Sequence, residues 1–262
     1  LQTIPKIVDY ASDIRKVFIA PKGYYLVETD YSQMELRTLA HYSKDSKLVK
    51  FYQEDKDVHR MLASLLFKIP EDQVTEEQRY LTKYLVFGII YGRGATSIAQ
   101  QFKLSLDEAT RIKQQFLDLI PEALEWMNRV QEFVLQNGYV KNMFGRKIPI
   151  QFDLQDESSV ARARRLAVNY PIQGAASDIT YLTAVLLRRG IKQRAIRGNL
   201  LLNIHDSLIA EVAETDLEKY RHLVLEVVNQ VVQKISFRVP LKISIQVGTD
   251  LANQKEFNEV VK

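Results

Sequence analysis

Two short stretches, far apart in the chain, share one design. Tyr24-Tyr25-Leu26-Val27 is an apolar run that reads as a buried strand, with Asp30 just past its end. Met34, Leu36, Leu39 and Ala40 then set a helical period. Downstream, two apolar runs, 200–204 and 208–212, flank His205-Asp206, which predicts a hairpin with an acid at its tip. Between these stretches the pattern is mostly helical. Leu48, Phe51 and Tyr52, then Val58, Met61, Leu62, Leu65 and Leu66, recur at helical spacing until Pro70. Thr75-Glu76-Glu77-Gln78 is a helix start with acids in its first turn. Ser105 to Leu119 and Glu122 to Gln136 read as two amphipathic helices separated by Pro121, and residues 138–149 as a hairpin with a basic tip. Ser158 to Ser177 and Ile179 to Arg189 read as two more helices, the second ended by Gly190, and Asp216 to Val232 as another amphipathic one. Leu241, Ile243, Ile245 and Val247 alternate as a closing strand, and Pro21-Lys22-Gly23 is a turn. Strands near both ends with helices between them imply an α+β fold, with one sheet built from distant segments.

With 262 residues the chain can bury a substantial core. Its net charge of +4 permits a polyanionic partner, although so small an excess is also common on proteins that bind none. Cysteine is absent, which excludes disulfides and thiolate metal sites. No apolar run is long enough to span a bilayer, so no membrane partner is expected. The expected location is intracellular, in cytoplasm or nucleoid, with an organelle or a virus-infected host cell left open.

Two strand-borne acids, Asp30 and Asp206, could hold two divalent cations on oxygen ligands and clamp the entering and leaving oxygens of a phosphoryl transfer. From spacing alone, a lone Asp after a strand is usually a turn or helix N-cap residue. Arg79, Lys83, Phe87 and Tyr91 stand four apart, so on a helix they make one slowly drifting stripe. Two cations followed by two aromatics suit a nucleoside triphosphate. Taken without the other motifs, the stripe is more readily a solvated cation pair beside two core aromatics.

The segment from Asp30 to His41, DYSQMELRTLAH, resembles motif A of the DNA polymerase I family (family A), and Ile204-His205-Asp206 resembles its motif C. Residues 79–92, with R, three residues, K, three residues, F-G, two residues, Y-G, resemble motif B. The similarity runs from Leu1 to the C-terminus, and Leu1-Gln2-Thr3-Ile4-Pro5 resembles the end of a family segment written R-L-Q-N-x-P. The resemblance implies a right-hand palm, an antiparallel sheet with helices, carrying a largely helical fingers insertion. It assigns 1–45 to the first part of the palm, 46–155 to the fingers and 156–262 to the second part of the palm, with the thumb absent. The partners it implies are a primer-template, a deoxynucleoside triphosphate, and the upstream thumb and any exonuclease domain of a longer parent. The alternative is a fragment that binds nucleic acid and nucleotide but is inactive without that thumb. Copying of an RNA template is a third possibility that the motifs leave open.

The same resemblance implies residue roles. Asp30, Asp206 and Tyr31 hold two Mg2+ ions, with Mn2+ as a possible substitute. Lys83 and Arg79 bind the triphosphate, and Lys83 also donates a proton to leaving pyrophosphate. Phe87 packs on the incoming nucleotide and Tyr91 lies near the templating position, while Gln33 and His59 approach the triphosphate. Glu35, packed under the sugar, leaves no room for a ribose 2′-hydroxyl. Arg165, Asn169 and Gln173 meet the primer-template minor groove, whose acceptors are nearly independent of sequence, and His205 lies by the primer terminus. Two departures stand out. Ser207 replaces a family Glu and removes a negative charge beside the metals, and Val86 stands where many relatives have Asn.

Overall fold

The computed structural model describes residues 9–257. The Leu1 to Pro5 segment lies outside them. Helix α1 (Asp9–Lys16) leads through a turn at Gly23 into strand β1 (Tyr24–Tyr31), and α2 (Met34–Ser43) follows. Next come α3 (Ser46–Gln53), α4 (Val58–Phe67), α5 (Glu76–Ile90), α6 (Ala95–Phe102), α7 (Leu106–Leu119) and α8 (Pro121–Asn137). A small hairpin, β2 (Tyr139–Lys141) and β3 (Lys147–Pro149), precedes the long helix α9 (Glu157–Gln193). Strands β4 (Gly198–Ile204) and β5 (Ser207–Ala213), helix α10 (Leu217–Ile235), and strands β6 (Ile243–Gly248) and β7 (Lys255–Glu256) complete the described chain. The fold is α+β with an antiparallel sheet in the order β4-β5-β1-β6-β7.

Within the described residues the chain divides into two compact units. A sheet unit holds 9–34, 176–237 and 241–257; a helical unit holds 35–175 and 238–240.

In the sheet unit, β1 is the strand on which the others are ordered. One edge pairs with β5, from Tyr24↔Ala213 to Asp30↔Ser207, and the other with β6, from Leu26↔Gly248 to Tyr31↔Ile243. This double pairing is why the strand runs past its apolar start and through Asp30, further than the Tyr24 to Val27 pattern predicts. Backbone bonds on both sides satisfy the polar groups of Glu28, Thr29 and Asp30 whatever their side chains prefer. Helix α10 buries Leu217, Tyr220, Leu223, Val227 and Val231, the predicted apolar stripe.

Helix α9 corrects the sequence reading. It is one helix of 37 residues, running through both Pro171 and Gly190. Gly190 does not end it, because a Cβ there would run into the Leu223 side chain; the glycine lets α10 pack close. Pro171 removes one donor from the ladder, and its own carbonyl accepts from the Tyr42 hydroxyl at 3.2 Å.

The helical unit is built from well-signalled starts. Thr75 and Gln78 form a capping box on α5, and Ser105 and Glu108 form another on α7. Pro121 is the first residue of α8 rather than a spacer before it, the position where a missing N–H costs nothing. Buried Asp45 caps α3 through the Leu48 amide and also accepts from the Ala123 amide of α8. Tyr42 stacks on Trp126 at 5.2 Å and accepts from the Met143 amide, tying α2 to α8 and to the β2–β3 loop.

Candidate functional site

The predicted residues fall into separate groups, and each is built by its own unit. In the sheet unit, Asp30 stands in the central strand opposite Ser207 of β5 and Ser244 of β6. His205 and Asp206 form the two-residue turn of the β4–β5 hairpin, with His205 at φ 55°, the positive φ that a tight hairpin turn demands of its first residue. The Asp206 carbonyl accepts from the Tyr31 amide at 3.3 Å, so the hairpin tip is fastened to the residue that follows Asp30. Both acids are half-buried and His205 is exposed. This chain can offer oxygen donors here and no sulfur.

Tyr31 does not present its phenol as a ligand. The ring is buried, its hydroxyl is 2.6 Å from Thr183 Oγ1, and burial pushes its pKa up to about 12. Ser207 is buried, facing Asp30 across the register, so the departure from Glu is accommodated inside the sheet. Among the described residues no group of three or more His, Cys, Asp or Glu gathers as a metal cluster; two carboxylates are the acids on offer.

In the helical unit, α5 carries Arg79, Lys83 and Phe87, with Tyr91 as its C-terminal cap residue. Phe87 and Tyr91 stack with centroids 6.3 Å apart, and His59 of α4 lies 6.1 Å from Phe87. Lys83 is exposed at the N-terminal side of this aromatic group. His59 is buried at 1% exposure, and neither ring nitrogen has a hydrogen-bond partner. Burial is the main reason its pKa drops to about 4; Asp57 opposes the drop, and Lys83 and Arg79 add to it. The ring is therefore neutral at pH 7.

Asp57 is a site residue that the sequence pattern did not single out. It caps α4 by accepting from the His59 and Arg60 amides, each at 3.1 Å, and its other oxygen accepts from Arg79 Nε at 2.6 Å. Burial raises its pKa, but Arg79 and the Arg60 amide outweigh that and hold it low. The signal that would have found it is its place as an acid immediately before a helical run.

Arg165, Asn169 and Gln173 lie four apart on α9, which aligns them along one face. Gly92 adopts φ +76°, and a Cβ there would collide with the Arg165 side chain, so the last glycine of the 79–92 segment is shaped by that arginine. Asn169 Oδ1 is buried without a partner. Gln33 sits at φ 56° in the turn between β1 and α2, and Glu35 is half-buried in the first turn of α2. Arg37 is a packing residue: buried, 4.3 Å over the Tyr52 ring, and bonded to the Pro240 carbonyl. Val86 is fully buried on α5. No helix among the described residues is long and apolar enough to cross a membrane.

The chain is similar to known proteins in sequence and in fold. The chain is 36% identical over 248 residues to DNA polymerase I of Chloroflexus aurantiacus, covering 95% of this chain and 26% of that protein. It is 34% identical over 258 residues to the thermostable DNA polymerase I of Thermus aquaticus, covering 98% of this chain and 30% of that protein. It therefore spans between a quarter and a third of the length of these relatives. A solved structure, the POL domain of Pol1 from M. smegmatis in complex with DNA primer-template and dNTP, matches with a TM-score of 0.90 at 32% identity. That match covers 96% of this chain and 44% of that one. The pattern of the whole family matches residues 1–253, so acids on a paired strand and hairpin, and a cationic-aromatic helix, here belong to a member of DNA polymerase family A.

Proposed function

We propose that this chain carries the chemical centre of a template-directed DNA polymerase, adding deoxynucleoside triphosphates to a primer 3′ end by phosphoryl transfer with two divalent ions. The observation that carries the proposal is Asp30 on a strand paired at both edges, with the Asp206 turn bonded to the next residue. Family A polymerases depend on divalent metals in general, and the donors here fit one: two carboxylates and the Tyr31 carbonyl are hard oxygen ligands, as magnesium requires. When bound, such ions supply Lewis acidity toward the primer hydroxyl and the departing oxygens.

The chain's own residues do the rest. Arg79 and Lys83 neutralise the triphosphate, Arg79 being held in position by Asp57. Lys83 gives a proton to the leaving pyrophosphate. Phe87 stacks on the incoming base and Tyr91 continues that surface, while buried, neutral His59 supports Phe87 near the triphosphate. Glu35 excludes a 2′-hydroxyl. Arg165, Asn169 and Gln173 read pair geometry in the minor groove, and His205 meets the primer terminus. Residues 1–45 and 156–262 would form the palm and 46–155 the fingers.

A second reading, binding without turnover, is favoured by one fact: the chain spans only 26–30% of these relatives; on that reading, chemistry needs parts of a longer parent that grip the duplex. Single-nucleotide primer extension with magnesium separates the two. Extension that is lost in Asp206→Asn and selective for deoxynucleotides supports turnover; primer-template binding with no extension supports the second reading.

A further inference from the structure

Strand β4 is an edge of the sheet, pairing among the described residues only with β5. Open edges are normally blunted by lysine, proline or charge. β4, Gly198-Asn199-Leu200-Leu201-Leu202-Asn203-Ile204, has no charged residue and no proline; its one irregularity is a register shift at Leu201, whose side chain is 47% exposed. Beside its first half lies a cavity of about 640 Å3, walled by β4 and by the C-terminal turns of α9. Its lining is mixed: Ile191, Ile196 and Leu200 are apolar, and Arg188 and Lys192 are cationic.

Two neighbouring cations of this region are neutralised. Arg194 pairs with Glu226, and Arg197 with Asp216. Arg188 and Lys192 are both exposed and form no ion pair among the described residues. Tyr181 and Val185, 57% and 47% exposed, fall at helical spacing with them and extend the same face of α9.

We propose that this groove, all of it within the sheet unit, binds an extended acidic peptide segment of a partner protein, which adds as a strand to the open edge of β4. The free backbone groups of the edge supply strand pairing, Arg188 and Lys192 complement acidic side chains, and the apolar wall takes the residues between them. A nucleic-acid strand matches the cations but offers no backbone donors to the edge and no aliphatic side chains to the wall, so a peptide fits the whole set. The site does not depend on the polymerase reading.

The test uses the chain as it stands and a blocked heptapeptide alternating glutamate and valine, followed by amide NMR and calorimetry. The expected result is saturable binding that shifts the amides of residues 198–204. Arg188→Glu with Lys192→Glu should weaken it about tenfold or more, with the rest of the amide spectrum unchanged because both side chains are exposed. N-methylating alternate peptide amides should abolish binding, since it keeps the charge and removes the strand donors. Equal binding of the N-methylated peptide, displacement by a single-stranded oligonucleotide of equal charge, or no binding would each overturn the proposal.

Discussion

The two halves of the candidate machinery are held by opposite kinds of structure. Asp30 and Asp206 are set where strands about 180 residues apart in sequence pair. Arg79, Lys83, Phe87 and Tyr91 are set by a single helix whose start is written in four consecutive residues. The first arrangement is rigid because β1 is bonded on both edges. The second is local and needs tertiary contact only for its finishing elements, Asp57 on Arg79 and His59 against Phe87. A carboxylate pair must hold a cation to within fractions of an ångström, which suits a sheet. A nucleotide-gripping stripe needs only the helical period.

This contrast is open to direct attack. The largest effect is expected at the acids: Asp206→Asn should lower single-turnover extension by about a thousandfold, about 4 kcal/mol of barrier, while thermal melting stays unchanged. Loss of the fold along with activity would mean that the acid is structural.

The next effect separates the units by pH. His59 has a folded pKa of about 4 against 6.5 unfolded. The unfolded state therefore binds more protons between those values, and the contribution of the neutral ring is full above pH 6.5 and lost as pH falls toward 4. The loss should reach about 3 kcal/mol. Hydrogen exchange at pH 7 and pH 4 should show protection falling around α4 and α5, and His59→Phe should remove that dependence. Equal acid sensitivity in the variant would assign the effect elsewhere.

Two glycines probe packing in each unit at smaller cost. Gly190→Ala forces the Leu223 side chain aside in the sheet unit, and Gly92→Ala adds strain at φ +76° against Arg165 in the helical unit. Each should cost about 1–3 kcal/mol in urea unfolding. Gly92→Ala should also disturb primer-template affinity through Arg165, which Gly190→Ala should leave alone. Smallest is Thr75→Ala, which removes the α5 cap and should cost about 1 kcal/mol, seen as fraying of the first turn of α5 with little change in the sheet.

Much of this was legible in the residues. The hairpin at His205-Asp206, the helix starts at Thr75 and Ser105, the apolar stripe of α10 and the basic-tipped β2–β3 hairpin follow from turn chemistry, capping and periodicity, all of which act over a few residues. The motifs pointed to the family for the same reason: each is short and contiguous. The full length of β1 was not legible, because its polar half is extended only by partners from 207–213 and 243–248. Nor was the continuity of α9, since proline and glycine ordinarily stop a helix, and here the Leu223 contact gives Gly190 a packing reason inside one.

Local physics thus determined which residues carry charge, which face of each helix is apolar and where chains turn. Tertiary structure alone decided that Asp57 anchors Arg79, that the Tyr31 phenol is turned inward to Thr183, that Ser207 is buried opposite Asp30, and that His59 is neutral. Those outcomes depend on burial and on partners distant in sequence, and a side chain's partner and dielectric are properties of the space around it, which no window of consecutive residues contains.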